Sequence, residues 1–464
     1  MAEQHDVVIL GGGSAGYVAA IRAAQLGLKT ALIERHKLGG TCLHYGCIPT
    51  KAFLESAHVF TQMQEREVWG LTAEGIGYDY GRLMKFKNGI VDKNFKGVQF
   101  LMKKNKIEVI EGDGVAESPR QVRVKTKNGE RLVEGKNLVI ATGSRPRTFG
   151  LPIDGKTVYT SDHAVNLEAM PGSLIILGGG VISVEFASYY HAFGVDVTVV
   201  ELLPTLIPLM DQELGIELGR LFGRRGIKVL TDTTADFESL KVGRDGVSIA
   251  VAAKGKDRQE LKAERMLVAV GREAVTAGTE KLGLNMDRGY ISAGDNQRTN
   301  VPGVYAIGDV TGGFGLAHEA YAEGILAVES IAGKNTFNRV DPNRVPQPVF
   351  SFPQVAAIGL REQDARADGR EIEVGKFPFS ANSKAPILNE AVGWIKVIGD
   401  KRTGDVLGVH MIGPNVTEFI AEAALGKFLE GTPWELAYNI HPHPTLSEAL
   451  GEAAHAAEGA AIHL

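Results

Sequence analysis

Cys42 and Cys47 are the only two cysteines of a 464-residue chain, and they stand close together in the glycine-flanked segment Gly39-Gly40-Thr41-Cys42-Leu43-His44-Tyr45-Gly46-Cys47-Ile48-Pro49-Thr50-Lys51. A structural staple has little to do here, because a chain of this length with 44% apolar residues buries a large core without covalent help. The pair therefore reads as a working disulfide, made and broken in the course of chemistry. In regular helix, residues at this spacing lie roughly 8 to 9 Å apart, whereas a disulfide wants Cα atoms at about 4.4 to 6.8 Å. A loop or a distorted first helical turn must therefore join them. Gly46 supplies the torsional freedom, and Pro49 suits the first turn of a helix expected to start near Ile48 and to run through Lys51 toward Val59. The bland alternative is a reduced, buried pair without function; the glycine-rich loop just upstream weighs against it.

That loop belongs to the elements that must position the sulfurs. Val7-Val8-Ile9-Leu10 is an apolar run leading into Gly11-Gly12-Gly13-Ser14-Ala15-Gly16, a helical stretch to Leu26, and Thr30-Ala31-Leu32-Ile33-Glu34. The same order returns in Leu174-Ile175-Ile176-Leu177, Gly178-Gly179-Gly180-Val181-Ile182-Ser183, a helix to Phe193, and Val197-Thr198-Val199-Val200-Glu201. One glycine pattern of this kind is weak evidence. Two, each strand-led, helix-followed and closed by an acid at the same distance, are strong evidence for paired dinucleotide-binding βαβ units. Gly11, Gly13 and Gly16, and likewise Gly178 and Gly180, let backbone approach a pyrophosphate resting on a helix N-terminus. Glu34 and Glu201 are placed to accept from ribose hydroxyls. A carboxylate at 201 repels a 2′-phosphate, and Leu202-Leu203-Pro204 offers no arginine to receive one, so the second unit is expected to take NAD rather than NADP. Ser183 stands where the third glycine belongs, at modest packing cost.

Net charge is −5 with both signs interspersed, which gives no hint of nucleic acid or of an anionic membrane as partner. The N-terminus runs straight into a strand, so no signal peptide is expected, and no apolar run reaches membrane-spanning length. A cytoplasmic location follows as the expectation. Two further strand ends closed by glycine, Leu138–Ser144 and Val304–Val310, are shaped to pass close to a ligand. From about Asp341 a proline-rich connector opens a separate α+β segment.

With these motifs in view, the chain resembles the flavin-dependent pyridine nucleotide disulfide oxidoreductases, and within them the branch that oxidises protein-bound dihydrolipoamide. The resemblance covers essentially the whole length. It rests on Gly16-Tyr17-Val18-Ala19-Ala20-Ile21-Arg22, the Cys-x4-Cys segment, Ala306-Ile307-Gly308-Asp309, Leu316-Ala317-His318-Glu319-Ala320, and His441-Pro442-His443-Pro444-Thr445-Leu446-Ser447-Glu448. It implies an α/β fold with two Rossmann-like dinucleotide-binding domains and a C-terminal α+β dimerisation domain. The expected boundaries are residues 1–148 for the FAD-binding domain with the redox disulfide, 149–272 for the NAD-binding domain, 273–340 for a central domain completing the FAD site, and 341–464 for the dimer interface.

Carried over by position, the resemblance makes Cys42 the thiol that exchanges with substrate and Cys47 the one beside the flavin. His443 becomes the base and Glu448 its orienting partner, reaching the cysteines of the other subunit of a homodimer. Lys51 and Glu185 become an ion pair near the flavin ring, Asp309 a ligand of the FAD ribityl chain, and Arg272, after Gly271, a neighbour of the NAD adenosine. FAD contacts are further implied for Gly40, Thr41, Gly114, Thr142, Gly143, Leu316, Ala317 and His318. The implied partners are the lipoyl domain and the E2 core of 2-oxo acid dehydrogenase complexes; no metal is implied. A related reductase acting on a glutathione-like thiol is the competing enzyme reading, disfavoured by Glu201, and an inert flavin-bearing scaffold is the non-enzymatic one. Some positions depart from the family pattern: His44 and Tyr45 between the cysteines, Glu273-Ala274-Val275 after Arg272, and Tyr321 at a place often acidic. His44 is expected at the surface.

Overall fold

The computed structural model describes residues 4–334 and 337–464. They form two compact units, the first gathering Met1–Ala52, Gly81–Arg147 and Gly271–Val340, the second Phe53–Tyr80, Thr148–Val270 and Asp341–Leu464. The stretch from Gly271 to Val340 thus clusters with the N-terminal fingerprint.

The first unit is built on a sheet ordered Glu108–Glu111, Thr30–Glu34, Gln4–Leu10, Gly129–Ile140, Gln121–Thr126, Asp113–Ser118, with Val304–Ala306 added against Gly129–Ile140. Gln4–Leu10 lies parallel to its neighbours on both sides, with Val8 opposite Ala31 and Leu138. A parallel strand covered on both faces reads as an unbroken apolar run, and residues 7–10, the second half of this one, do so. Val7 and Ile9 pack with Ala15, Ala19 and Ala23 of the helix Ser14–Gln25, whereas Val8 and Leu10 face Ala116, Val122 and Val124. Each such fully buried aliphatic side chain stabilises the fold by about 1.5–3 kcal/mol. On the helical face, Ala317–Ile331 crosses Ser14–Gln25 at Gly324, where an added Cβ would sit 2.8 Å from the backbone oxygen of Ala15. The crossing is fastened at one end by Arg22, whose Nε and Nη2 donate to Glu329 at 2.9 and 2.5 Å.

The second unit carries a five-stranded parallel sheet ordered Lys228–Leu230, Asp196–Val200, Ser173–Leu177, Arg265–Val268, Val158–Thr160. The antiparallel strands Thr233–Gly243, Gly246–Ala253 and Gln259–Ala263 cover it, closing a core of Ile175, Leu177, Val200, Ile249 and Met266. A third sheet, antiparallel and also five-stranded, runs Gln347–Val349, Gln354–Gly359, Val406–Gly413, Trp394–Asp400, Ile372–Pro378, and packs the helices Val416–Phe428 and Glu448–Ala457. Lys396 of this sheet is buried with its Nζ 2.9 Å from Asp211, 3.0 Å from Glu213 and 2.8 Å from Glu362. Burial works against its charge, and the surrounding carboxylates outweigh burial, so the ammonium is retained. The same Asp211 caps the helix Gln212–Arg225 by accepting from Glu213 N, which ties that helix to the third sheet. Among the described residues no helix is long and apolar enough to cross a membrane.

Candidate functional site

Both fingerprints fold as the repeat demands. Gly11 (φ +110°) and Gly178 (φ +97°) sit where a Cβ would fall 2.2 Å from Ala141 O and 2.4 Å from Ala269 O, so only glycine fits either turn. The helices that follow, Ser14–Gln25 and Val181–Ala192, have extended glycine N-caps, Gly13 and Gly180, and neither has a side-chain cap. Open space surrounds the missing Cβ of Gly180, and only Gly40 Cα, at 3.9 Å, lies near that of Gly13. Uncapped first-turn N–H groups beside an open glycine cradle fit a pyrophosphate in each unit. At the third position Gly16 leaves no room for a Cβ, which would lie 1.9 Å from Gly11 O, whereas its counterpart Ser183 is accommodated fully buried.

Glu34 accepts from the N–H groups of Gly12 and His36, each at 2.7 Å. Glu201 repeats the arrangement with Gly179 N and, at 2.7 Å, Leu203 N. Each carboxylate thus closes its own glycine loop while keeping lone pairs for a ribose. Leu202 and Leu203 are exposed beside Glu201, with no cation following it in the turn.

The remaining nucleotide-site candidates of the first unit cluster at the strand ends. Thr142, just beyond Gly129–Ile140 and before Gly143, has a buried hydroxyl without a partner among the described residues, the mark of a polar group shaped for a ligand. Asp309 accepts from Ser144 Oγ at 2.5 Å. Arg272, next to Gly271, donates from Nε to Ser144 Oγ at 2.7 Å and from Nη2 to Ser144 O at 2.9 Å, and lies 3.9 Å from Asp309. Its guanidinium is therefore committed within the first unit, beside the ribityl candidate. Gly114 packs under Leu10 and Ile33. Leu316 is the extended N-cap of Ala317–Ile331, which leaves Ala317 and the exposed His318 at another helix start without a side-chain cap. These residues fit FAD in the first unit, and the second fingerprint fits a nicotinamide nucleotide.

The sulfurs occupy the junction of two helices. Gly40–His44 is a short helix carrying Thr41 and Cys42; Tyr45 and Gly46 break it, and Cys47 begins the helix Cys47–Gln64. The helix starts one residue before the expected Ile48 and continues five past Val59, since no glycine or further proline interrupts it. The break brings the cysteines into hydrogen-bonding contact as free thiols, the reduced form of the pair. Cys42 donates its S–H to Cys47; that bond, then burial, then the charge of Cys47 push the Cys42 thiol far above its usual range, while Ser14 and Lys51 pull the other way. Cys47, at a helix N-terminus, is the sulfur placed to carry the negative charge.

His44 is buried rather than at the surface as expected. Its Nε2 bonds Leu38 O at 2.9 Å and its ring meets Phe95 edge-on at 5.2 Å. Burial pushes its pKa down, so it is a neutral donor that anchors the cysteine helix instead of a charge beside the thiols.

In the second unit, Glu448 opens the helix Glu448–Ala457 and its Oε1 lies 2.9 Å from His443 Nδ1, while its Oε2 accepts from Thr445 N at 2.7 Å. Burial alone would raise the Glu448 pKa, but the Thr445 N–H and His443 outweigh it and hold the carboxyl below its usual value. An ionised Glu448 accepts a hydrogen bond from Nδ1–H, which leaves the lone pair on Nε2. The His443 side chain is 69% exposed, so that nitrogen is accessible. Lys51 lies in the first unit beside the thiols; Glu185, buried in the second, accepts from Phe350 N at 3.0 Å. Reading the sequence did not single out Ser14, Tyr17 and Tyr321 as a group, and only their surroundings in the fold reveal them.

Residues 5–324 match the family model described as pyridine nucleotide-disulphide oxidoreductase, and residues 345–454 match the dimerisation domain of the same family. The chain belongs to the pyridine nucleotide-disulphide oxidoreductase family. Among similar members, a dihydrolipoyl dehydrogenase of Bacillus subtilis is 47% identical over 475 aligned positions covering 100% of both chains. Two solved structures share the fold at lower identity. LpdA from Mycobacterium tuberculosis superposes with a TM-score of 0.89 at 26% identity over 97% of this chain and 98% of that one. RclA from Escherichia coli, an HOCl-induced flavoprotein disulfide reductase, gives 0.84 at 26% identity over 97% and 99%. The α/β architecture and the antiparallel C-terminal segment are those of the family.

Proposed function

We propose that this chain acts as a dihydrolipoyl dehydrogenase, oxidising dihydrolipoamide carried by a lipoyl domain and reducing NAD+. The observation that carries the reading is the pairing of a hydrogen-bonded Cys42 and Cys47 at a helix junction with a carboxylate-oriented, accessible His443. In the catalytic cycle His443 Nε2 takes a proton from the first substrate thiol, whose thiolate attacks Cys42 of the oxidised pair. The bond between the cysteines breaks, and Cys47 leaves as a thiolate steadied by its helix N-terminus. The second substrate thiol attacks the substrate sulfur bound to Cys42, the sulfur–sulfur bond to Cys42 breaks as the lipoamide disulfide closes, and the proton of that second thiol passes to the departing Cys42 thiolate. Two electrons thereby move from substrate to the protein dithiol. FAD, when bound, supplies the route by which that pair passes to NAD+ as hydride.

The exposed His443 suits a homodimer in which the imidazole of one copy serves the cysteines of the other. Lys51 and Glu185 are assigned the ion pair beside the flavin ring, and the E2 core of a 2-oxo acid dehydrogenase complex is the assigned docking partner. The reducing cytoplasm suits a disulfide that must cycle. Glu201, with no cation after it in the turn, supports NAD over NADP.

Steady-state turnover of free dihydrolipoamide with NAD+ and with NADP+, beside a glutathione disulfide control, tests this reading. NADH formation at least about tenfold faster than NADPH formation is expected, since a 2′-phosphate against a buried carboxylate costs more than about 1.4 kcal/mol. Faster turnover of glutathione disulfide than of dihydrolipoamide would overturn it in favour of the reductase reading.

A further inference from the structure

We propose that Ser14 and Tyr321 are hydroxyl donors to the cysteine pair: Ser14 touches Cys42 and favours its thiolate, and Tyr321, aimed by Tyr17, supports the same charge. The inference rests on the thiol chemistry assigned above and adds the residues that tune it.

Backbone packing places Ser14. Gly39 N donates to Gly12 O at 2.8 Å, and a Cβ on Gly40 would lie 2.7 Å from Gly13 Cα, so the segment leading into Cys42 lies tightly against the start of the fingerprint helix. Ser14 is the first residue of that helix, and its side chain hydrogen-bonds Cys42. A hydroxyl so placed donates to the thiolate more strongly than to the neutral thiol, because bonds to charged sulfur or oxygen exceed those to neutral groups. Of the groups acting on Cys42, burial and the Cys47 charge raise its thiol, and Ser14, followed by Lys51, opposes them.

One turn along the same helix, Tyr17 OH donates to Tyr321 OH at 3.1 Å, with the rings edge-on and 6.0 Å apart. Both ends of the crossing fix where Tyr321 stands: Gly324, one turn later, sits on Ala15 O, and Arg22 holds Glu329. The phenol of Tyr321 is half-buried and lies in the field of both Cys42 and Cys47. A carboxylate at position 321 would repel a thiolate, whereas a phenol stabilises one. Tyr17 is then a positioning residue.

The test is the pH dependence of Cys42 alkylation in reduced, FAD-loaded protein, with iodoacetamide as the reagent and peptide mass spectrometry to locate the label. Ser14→Ala is expected to slow Cys42 labelling about tenfold below the midpoint and move the midpoint upward, by loss of one charge-assisted hydrogen bond. Ser14→Thr is expected to restore most of the rate, and Tyr321→Phe to slow it several-fold. Wild-type profiles in both Ser14→Ala and Tyr321→Phe would overturn the proposal, as would a Ser14→Thr enzyme as slow as Ser14→Ala. Absence of dihydrolipoamide turnover in the wild type would instead strike the function assigned above, leaving the alkylation result to stand by itself.

Discussion

Glu323 shows how much of the site's behaviour lives in single residues. Its Oε2 accepts from Gly308 N at 2.6 Å, directly behind Asp309. Burial first, with Glu319 and Asp309 adding repulsion and the Gly308 N–H opposing, pushes its pKa up to about 8. An unfolded glutamate releases its proton near 4.5, so between that value and about 8 the native chain holds a proton that the unfolded chain has lost. Stability from this group is therefore complete below pH 4.5 and declines as pH rises through 8. Glu323→Gln keeps an oxygen for Gly308 and removes the titration. Urea unfolding at several pH values is expected to show a flatter profile, with the variant gaining about 1–2 kcal/mol on wild type above pH 8; parallel profiles would contradict it. Cys42, Cys47 and His443 stand out in the sequence because their types and spacing suggest chemistry. The contacts of His44 and Ser14 do not stand out in that way, because they are made with a backbone carbonyl at Leu38 and a sulfur at Cys42, brought close only by the packing of Gly39 and Gly40 on the fingerprint.

Among elements, the crossing of Ser14–Gln25 with Ala317–Ile331 sets how the fingerprint helix is held, and Gly324 is a point of close approach. Alanine in an exposed helix gains roughly 1 kcal/mol over glycine, but overpacking costs about 1–3 kcal/mol when the obstacle cannot yield. At Gly324 the obstacle is the backbone oxygen of Ala15, so overpacking wins; at Gly219 of the helix Gln212–Arg225 nothing lies within 4 Å of the added Cβ, and propensity wins. Denaturant unfolding is expected to show Gly324→Ala less stable by about 1–2 kcal/mol and Gly219→Ala neutral or slightly more stable. Equal effects at the two sites would contradict the crossing geometry. The paired βαβ units were legible because alternating faces and glycine turns write themselves into local sequence. The helix crossing was not, since Gly324 sits in an ordinary helical pattern and its constraint comes from a strand-distant partner.

At the scale of the whole molecule, three of the sheets support the site: the first unit's sheet lies with the cysteines and the features that fit FAD, the parallel sheet of the second unit carries the second fingerprint, and the C-terminal antiparallel sheet packs the helix of Glu448, which orients the histidine. The connector from Asp341 was read as a boundary; its second half, Gln347–Val349, joins the C-terminal antiparallel sheet as an outer strand, a place where Pro348 is tolerated. The resemblance already associated residues 273–340 with the FAD site; the pairing that joins them to the first unit, Val304–Ala306 beside Gly129–Ile140, is long-range and has no local signature. All of this arrangement serves a dithiol that passes two electrons onward. The most direct measurement is anaerobic addition of dihydrolipoamide, without nucleotide, to the FAD-loaded protein while absorbance is recorded. A long-wavelength charge-transfer band from the Cys47 thiolate is expected in wild type and absent in Cys47→Ser. A flavin-loaded wild type that stays spectrally unchanged, or a Cys47→Ser protein that develops the same band, would contradict the account.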